Sequence, residues 1–480
     1  MADAIVVGGS VAGLAAALAL SGAGYRVRVL ERSAPPPDGP VEQAVREWRR
    51  PTVPQAVHSH TLTSVGVQVL RRRAPQLLTA ALEAGAELLD LIEALPAPVT
   101  DRAREVGDDD LVDLACRRTV LELLLYRTVR DLPEVRVDHA TAVRGLVLDA
   151  SSQQVRGVRT DNGDVVEAPV VIDATGRRTE SRDWLTAAGI PVAGDLTQSC
   201  AITGYSRQYR LRGAGRPGPL NRGNAAGGIW DHYAGALHPG DNHTFAVAVM
   251  VLPGDRATDG LRTPDGFAAA ARATPGLGAW LAPGVSEPLT GVHVIACPPN
   301  VLRGTVTTRQ RAVAGLFAVG DAACVTNPLY GRGMSLALDH AFRLADLLAG
   351  APVDGALSLT AARLAEELFT PWYEFSAQED RDRTARWRAA SGDDAAQAAR
   401  TQPSGGRTSP EQLRAAALTD GLVWRSITRV IMGLTTPAVA FGDEKFLARV
   451  AQAPPIDPAL LPAAPDRDEF VRVIAAAKGA

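Results

Sequence analysis

The order of apolar and polar residues near the N-terminus predicts a strand, a helix and a second strand. Residues 4–7 (AIVV) form a short apolar run, which is typical of a strand buried on both faces. Residues 12–24 (AGLAAALALSGAG) are strongly helix-forming and end in glycines that can terminate a helix. Residues 25–32 (YRVRVLER) then indicate a second strand. The pattern therefore predicts a β-α-β unit at the start of the chain.

Apolar, β-rich runs recur in the middle of the chain, and helical patterns dominate its end. Residues 244–253 and 291–299 are β-rich, which predicts a second sheet. Residues 315–350 contain an apolar strand, an irregular loop and a long amphipathic helix. Beyond residue 350 the apolar residues have helical spacing, whereas residues 391–411 are polar and predict a flexible connection.

The turn inside the β-α-β unit has the chemistry of a dinucleotide site. It follows the pattern G-x-G-x-x-G, with Gly8 for the tight turn, Gly13 for close packing of helix on strand, and Ser10 in place of the middle glycine. The helix N-terminus directs free N–H groups at a pyrophosphate. Glu31, at the end of the second strand, would accept hydrogen bonds from ribose hydroxyls and repel a 2′-phosphate. The site is therefore predicted to bind an NAD- or FAD-type dinucleotide.

A second match to the same pattern does not have the required context. Residues 213–218 (GAGRPG) contain Pro217 and are followed by PGPLNRGN instead of a helix. We interpret this segment as a surface loop. The chain then has no second nucleotide-binding unit for a nicotinamide.

Composition and charge narrow the class of protein. The 480 residues, 46% of them hydrophobic, suffice for two domains or for one large domain with an insertion. With 50 basic and 53 acidic residues the net charge is −3, which gives no case for nucleic acid or an anionic membrane. No apolar run reaches about 18 residues, and the start MADAIVVGG does not resemble a signal peptide. Four scattered cysteines suit a reducing compartment. We expect a cytoplasmic globular protein without integral membrane association.

Four segments together resemble one family. Residues 315–350 carry Gly320-Asp321 followed by N-P-x-x-G-x-G, which resembles the second FAD motif of the flavoprotein monooxygenases of the p-hydroxybenzoate hydroxylase type. Residues 113–129 resemble the R-x-x-L-x-x-x-L helix of that superfamily. Residues 168–190 resemble its D-x-x-G-x-x-S-x-x-R segment, although the usual D-G dipeptide is replaced. Residues 54–62 (PQAVHSHTL) resemble a stretch of the squalene-monooxygenase-like and polyether olefin epoxidase subgroup.

The resemblance implies a fold, a cofactor and a set of contacts. The implied fold is α/β (α+β), with a Rossmann-like FAD-binding domain of the glutathione-reductase type, an inserted β-sheet substrate domain and C-terminal helices. We predict the FAD domain at residues 1–182 plus 313–350, the substrate domain at 183–312 and the helical region at 351–480. The predicted FAD contacts are Gly8, Ser10, Ala12, Gly13, Glu31, Arg32, Gln55, His58, Arg118, Val143, Thr175, Gly176, Gly320, Asp321, Pro328, Gly331, Gly333 and Met334.

The resemblance also implies a reaction. It predicts a monooxygenase that uses FAD and O2, through a flavin C4a-hydroperoxide, to hydroxylate or epoxidise an apolar or aromatic small molecule, in bacterial specialised metabolism. Electrons would come either from NAD(P)H bound transiently at the FAD site or from a separate flavin reductase. Because the cofactor performs the chemistry, no side chain is assigned as a catalytic acid or base.

Several side chains are candidates for the substrate pocket. Trp230, His232 and Tyr233 would offer aromatic walls and a titratable group, although core packing is the alternative reading for each. Tyr330 lies in the loop predicted to cover the flavin. His58 and His60 are two residues apart and are accompanied by no carboxylate cluster, so no metal site is predicted.

Three other functions use this kind of site or fold. A flavin-dependent halogenase is disfavoured because the chain has no W-x-W-x-I-P signature and no lysine before Lys445. A flavin reductase or dehydrogenase that saturates isoprenoid double bonds would form product without incorporating oxygen. A non-catalytic escort protein of the same fold would not need an intact flavin site.

Overall fold

Helices and strands are interspersed up to residue 348, and the described elements after it are helices. The computed structural model describes residues 2–149, 153–393, 410–455 and 463–477. The strands are β1 (Ala2–Val7), β2 (Tyr25–Leu30), β3 (Glu87–Asp90), β4 (Val112–Ala115), β5 (Val135–Asp138), β6 (Val143–Asp149), β7 (Gln154–Thr160), β8 (Val165–Glu167), β9 (Val170–Asp173), β10 (Leu196–Gln198), β11 (Thr203–Leu211), β12 (Ala226–Ile229), β13 (Ala234–Pro239), β14 (Thr244–Val251), β15 (Ser286–Pro288), β16 (His293–Ala296), β17 (Asn300–Leu302), β18 (Leu316–Ala318) and β19 (Cys324–Val325). The helices are α1 (Val11–Gly22), α2 (Val41–Glu47), α3 (Ser64–Arg73), α4 (Pro75–Glu83), α5 (Arg118–Arg130), α6 (Ser181–Ala187), α7 (Pro264–Ala273), α8 (Gly333–Leu348), α9 (Gly355–Ala390), α10 (Pro410–Thr419), α11 (Gly421–Ile431), α12 (Pro437–Phe441), α13 (Glu444–Gln452) and α14 (Arg467–Ala476).

A parallel sheet contains the predicted β-α-β unit. Its strand order is β18-β9-β1-β2-β5, and every neighbouring pair is parallel. The predicted strand at residues 4–7 is confirmed as the buried part of central β1. Helix α1 contacts β2 and also packs against α5 and α8. The side chains of α1 are buried almost without interruption, which explains why its sequence is apolar all round rather than amphipathic.

A second, antiparallel sheet is built from residues 203–296. Its order is β12-β13-β14-β11-β15, and β16 also pairs with β11. The predicted runs at 244–253 and 291–299 become β14 and β16. Successive side chains of a strand point to opposite faces. On β14, Val247 and Val249 therefore belong to an aromatic and aliphatic core, while Ala248 and Met250 face the cleft described below.

Two helices cover the core face of this second sheet. Helix α7 lies on that face, and α14, from the C-terminal region, packs against α7. Phe470 of α14 joins Phe245, Phe267 and Trp280 in the buried cluster. The opposite face of the sheet is thus the one left to line a site.

The C-terminal region is helical in its described parts, as predicted. Helix α9 runs for 36 residues and contains Pro371. It packs against α8 and β17, and it also contacts β18 at the edge of the parallel sheet. The predicted flexible connection at 391–411 lies almost entirely outside the described residues. None of the helices in the described ranges has the length and apolar character needed to cross a bilayer.

Candidate functional site

A cleft opens between the carboxyl ends of the parallel strands and the antiparallel sheet. In open parallel sheets this edge is where ligands bind. The empty space in the cleft and at its open mouth is about 1570 Å³. The predicted FAD contacts that line it are Ser10, Ala12, Arg32, Gln55, His58, Arg118, Thr175, Gly176, Gly320, Asp321, Pro328, Gly331, Gly333 and Met334.

The turn after β1 requires glycine at its first and last positions. Gly8 has φ +107°, and a Cβ there would lie 2.6 Å from the carbonyl oxygen of Ala174. A Cβ on Gly13 would lie 1.8 Å from the carbonyl oxygen of Gly8. Both glycines lie behind the cleft wall, where they let the backbone of the turn come close to the sheet. The start of α1 is thereby brought to the cleft surface.

Ser10, the departure from the glycine pattern, connects the turn to α5. It precedes the first residue of α1 but does not cap the helix. Its hydroxyl instead donates to Oε1 of Glu122 at 2.8 Å and accepts from Nη2 of Arg118 at 3.2 Å. Nη2 of Arg50 also donates to Oε1 of Glu122, at 2.6 Å. One buried carboxylate thus faces two guanidinium groups, which leaves an excess of positive charge beside free helix N–H groups.

Glu31 holds the same turn from the other side. Its buried carboxylate accepts hydrogen bonds from the backbone N–H of Gly9 at 2.6 Å and of Ser33 at 2.8 Å. Burial raises the pKa of Glu31, but hydrogen bonds from Ser33 and Gly9 and the charge of Arg50 outweigh it, so the net pKa is lower than usual. Glu31 is therefore ionised and lies just behind the lining residues. Its contact with a ribose stays a prediction.

Asp321 is the acidic residue of the cleft wall. Within the described parts of the chain, no side chain or backbone N–H donates a hydrogen bond to its carboxylate, which faces the cleft. Burial raises its pKa, and the charges of Arg118, Arg177 and Arg303 oppose that rise. An acceptor with unused lone pairs, surrounded by cations, is suited to a ligand that carries both hydroxyl and phosphate groups.

The D-x-x-G-x-x-S segment folds around its first residue. The buried carboxylate of Asp173, at the end of β9, accepts hydrogen bonds from the hydroxyls of Thr175, Thr179 and Ser181. It also accepts from the backbone N–H of Thr175 at 2.9 Å. Asp173 therefore shapes the turn that presents Thr175 and Gly176 to the cleft. It does not face the cleft itself.

The two histidines near the cleft are held neutral. Nδ1 of His60 lies 3.0 Å from the carbonyl oxygen of His58, so Nδ1 must carry the proton and Nε2 is free to accept from Arg118 at 3.5 Å. Burial, assisted by the Arg118 charge, lowers the pKa of His60 to about 3. Burial likewise lowers the pKa of His58 to about 4, and Nδ1 of His58 is 2.6 Å from the hydroxyl of Ser206. Neither ring titrates near pH 7.

Comparison with known proteins identifies the fold. The chain is 16% identical to PqsL, a probable FAD-dependent monooxygenase from Pseudomonas aeruginosa, with a TM-score of 0.57 over 81% of this chain and 98% of that one. It is 15% identical to the flavin-dependent brominase Bmp2, with a TM-score of 0.57 over 93% and 99% of the two chains. The chain has the fold of the FAD-dependent monooxygenases.

Comparison by sequence gives a partial match to one curated protein. No family model matches the chain. The curated protein Rv3254 of Mycobacterium tuberculosis is 31% identical over 225 residues, which cover 43% of this chain and 45% of that protein. The alignment thus spans less than half of that relative. The predicted fold class is confirmed by the structural neighbours, whereas the squalene-monooxygenase-like subgroup stays a prediction.

The cleft residues fit the FAD that this monooxygenase fold carries. Two helices that begin at the cleft and matter here lack a side-chain cap: α1 after Ser10 and α8 after Arg332. Their first N–H groups are therefore available to an anionic or carbonyl-bearing ligand. Asp321 offers an unused acceptor between them. Glycines at 331 and 333 keep the approach to α8 free of side chains.

Some predicted site residues lie elsewhere in the monooxygenase fold. Val143 is buried in β6, within the cluster that includes Val155 and Val158, and does not line the cleft. Tyr233 is fully buried and stacks on Phe470, with ring centroids 4.2 Å apart.

The rest of the aromatic group follows Tyr233. Trp230 stacks on Tyr233 at 4.8 Å, and His232 contacts both Tyr233 and Phe470. Alternate side chains of a strand point to opposite faces, and α14 packs on the face that carries Tyr233. Tyr233 and its aromatic neighbours therefore pack in the core and do not face the cleft. Tyr330 lines a smaller cavity that adjoins the cleft.

Sequence reasoning missed several residues of the site. Arg177 and Arg178 line the cleft immediately after Gly176, so their position beside a recognised motif was the available signal. Glu122 and Arg50 carry no comparable signal, because the contact between them spans 72 positions of the sequence. The wall formed by the antiparallel sheet was likewise predictable only as a sheet, without its individual residues.

Proposed function

We propose that this protein is an FAD-dependent monooxygenase that hydroxylates or epoxidises an aromatic or otherwise apolar small molecule. The observation that carries the proposal is the convergence on one cleft of the α1 turn, Asp321 and the start of α8, opposite a sheet face with small and apolar side chains. The solved neighbour PqsL has been crystallised with 2-aminobenzoylacetate, which supports an aromatic substrate. Bound FAD would supply electron storage and the activation of O2.

The chain's own residues would bind and orient the cofactor. The N–H groups at the start of α1, with the charges of Arg118 and Arg50 behind them, would hold the pyrophosphate. Asp321 would accept from ribityl or ribose hydroxyls. The N-terminus of α8 would interact with the carbonyl edge of the flavin ring, and a helix end contributes roughly 0.3 to 1 kcal/mol to an anion there.

The substrate side of the cleft would orient and shield the reacting molecule. Gly204, Ala248, Met250 and Ile295 present small or apolar surface from the antiparallel sheet. His58 and His60 are neutral at pH 7 because burial depresses their pKa values. This part of the cleft would therefore contain no charged histidine. The small and apolar side chains of the sheet would mainly exclude water from the reacting molecule.

The source of electrons is part of the proposal. Because residues 213–218 do not form a nucleotide-binding turn, NAD(P)H would dock over the FAD cleft or a partner reductase would supply reduced flavin. Consumption of NADPH and NADH by the FAD-loaded protein, with and without an added flavin reductase, distinguishes the two routes.

The test is incorporation of labelled oxygen. The protein is loaded with FAD, reduced, and mixed with 18O2 and a panel of aromatic and polyene substrates. A product that carries one 18O atom is the expected result, and Gly13→Ala, which obstructs the turn, should abolish it. A product without 18O points instead to a reductase or dehydrogenase, and a product formed only with bromide or chloride points to a halogenase. Failure of the protein to bind added FAD in either its oxidised or its reduced form would contradict the proposal as a whole.

A further inference from the structure

Two cysteines lie together at the wall of the cleft. Cys297 follows β16 and is a partly exposed residue of the cleft lining. Cys200 lies on the segment before β11, is only 2% exposed, and packs in the same apolar cluster as Cys297. The thiol of Cys200 donates to the carbonyl oxygen of Cys297 at 3.3 Å, although the two residues are 97 positions apart. The proposed flavin reaction uses neither thiol.

A bend in the backbone before β11 brings the two side chains together. Strands β11 and β16 are antiparallel, and their ladder extends to a hydrogen bond of 3.0 Å from the N–H of Cys297 to the carbonyl oxygen of Ile202. A straight continuation would carry Cys200 two residues beyond this pair. Ala201 instead has φ +45°, in the left-handed region that residues other than glycine seldom adopt. The chain therefore turns at Ala201 and returns Cys200 to Cys297.

Each thiol is the largest influence on the pKa of the other. The contact with Cys297 lowers the pKa of Cys200 more than burial raises it. The same contact, together with burial, raises the pKa of Cys297. The charges of Asp380 and Arg383 act on Cys200 in opposite directions. The pair thus favours loss of the proton from Cys200 beside a protonated Cys297, and the thiolate is the reactive form of cysteine.

The other two cysteines do not share these features. Cys116 and Cys324 are buried, and burial raises the pKa of each. Neither lines the cleft. They are therefore expected to stay reduced under conditions that oxidise the pair, and they provide internal references for its reactivity.

We propose that Cys200 and Cys297 form a thiol-oxidation site, which hydrogen peroxide converts reversibly to a disulfide at the cleft wall. The O–O bond of the peroxide breaks and one S–S bond forms. The two sulfur atoms lose two electrons to the two oxygens, which leave with the thiol protons as two molecules of water. A small dithiol reverses the change by thiol–disulfide exchange.

The cleft itself would supply the oxidant. When O2 is reduced there without transfer of an oxygen atom to a substrate, its product is hydrogen peroxide, released beside Cys297. This supply rests on the proposed function, whereas the reaction of the pair with peroxide does not. In a reducing compartment the disulfide would be temporary, as redox-sensing disulfides are.

The first test adds hydrogen peroxide to the purified protein and needs neither FAD nor substrate. After treatment the protein is unfolded in an alkylating reagent and mapped by peptide mass spectrometry without reduction. We expect a cross-link between the peptides that contain Cys200 and Cys297, and a fall from four free thiols to two. Cys116 and Cys324 should be alkylated as in untreated protein. Dithiothreitol should restore the other two thiols.

Two variants separate a specific pair from general oxidation. In Cys200→Ala the remaining thiol has no partner, so the cross-link should be lost and dimedone should capture Cys297 as a sulfenic acid. Cys116→Ala removes a buried thiol outside the pair and should retain the cross-link. Four free thiols after peroxide treatment of the parent protein, or an oxidised Cys297 beside a free Cys200, would overturn the inference.

A second test connects the pair to the cofactor. The FAD-loaded protein is photoreduced and mixed with O2 in the absence of substrate, and the cross-link should form without added peroxide. Its absence here, when added peroxide does produce it, would refute the cleft as the source. A protein that forms the disulfide but does not bind FAD refutes the monooxygenase proposal and leaves the thiol site standing. A protein that incorporates 18O but keeps four free thiols refutes only the thiol site.

Discussion

The side-chain amide of Asn327 donates a hydrogen bond to Oδ1 of Asp380 at 2.7 Å, although the two residues are 53 positions apart. Oδ2 of the same buried carboxylate accepts from the amide of Asn300 at 2.6 Å. The side-chain oxygen of Asn327 accepts a hydrogen bond from the backbone N–H of Leu329, in the same turn. Helix α9 of the C-terminal region thus fixes the N-P-x-x-G-x-G turn of the proposed flavin site.

Replacing Asp380 should therefore weaken cofactor binding. In Asp380→Asn, an NH2 group would meet an amide donor of Asn327 or Asn300, and Arg383 would lose its carboxylate at 3.0 Å. Loss of a hydrogen bond to a charged group costs about 1.5 to 3 kcal/mol, which corresponds to a Kd for FAD roughly 10 to 100 times higher. Quenching of FAD fluorescence measures the Kd.

The control for Asp380 lies two residues further along the same helix, on a different face. Asp382 is exposed and accepts only from Gln378 among the described residues. Asp382→Asn should leave the Kd for FAD unchanged. Equal affinities for FAD in the parent and both variants would show that α9 does not support the turn.

The two ends of α1 should respond oppositely to the same substitution. Gly13→Ala places a methyl group 1.8 Å from the carbonyl oxygen of Gly8, so the turn must open and FAD binding should be lost. Gly22, in the last turn of α1, has open space around an added Cβ. Gly22→Ala should stabilise the protein by about 0.4 to 1 kcal/mol and retain FAD. FAD stoichiometry and urea unfolding measure both effects; retention of FAD by Gly13→Ala contradicts the assignment of the turn.

Glu122 should contribute strongly to stability through its two cationic partners. The side chains of Glu122, Arg50 and Arg118 are at most 9% exposed. Glu122→Gln removes the charged carboxylate that both guanidinium groups contact, and breaking such a buried pair costs about 3 to 5 kcal/mol. Urea unfolding measures the loss. Glu47, an exposed carboxylate that accepts from Gln43, provides the control: Glu47→Gln should change stability by less than about 0.5 kcal/mol.

Asp113 should make stability fall as the pH rises. Burial raises its pKa to about 7, although Thr61 and Asn224 donate to its carboxylate. The folded state therefore retains a proton that the unfolded state loses near pH 3.9. Stability from this group is fully present below about pH 4 and is lost as the pH rises through 7.

The measurement for Asp113 is a difference between two proteins. Histidines with depressed pKa values, such as His60, make stability rise over part of the same range, so the slope of the parent alone is ambiguous. The stability of Asp113→Asn minus that of the parent should increase between pH 4 and pH 8. A constant difference would mean that Asp113 is ionised throughout.

The sequence pattern correctly predicted those parts of the site that lie within one continuous segment of the chain. The strand at residues 4–7, the glycines of the turn and the start of α1 need only neighbours in sequence, and all appear where predicted. Gly320 and Asp321 also reach the cleft wall. Tyr233 does not, because the choice between the two faces of a strand depends on which face another element covers. That element is α14, far along the chain.

The sequence by itself determined the dinucleotide turn, the α/β class and the likeness to flavin monooxygenases, because spacing of glycines and periodicity of apolar residues are local properties. Only the tertiary structure decided which charges meet. It joined Ser10 to Glu122 and Asn327 to Asp380. Such pairings depend on distances between segments that are remote in sequence, and their energies depend on burial, which no single segment specifies.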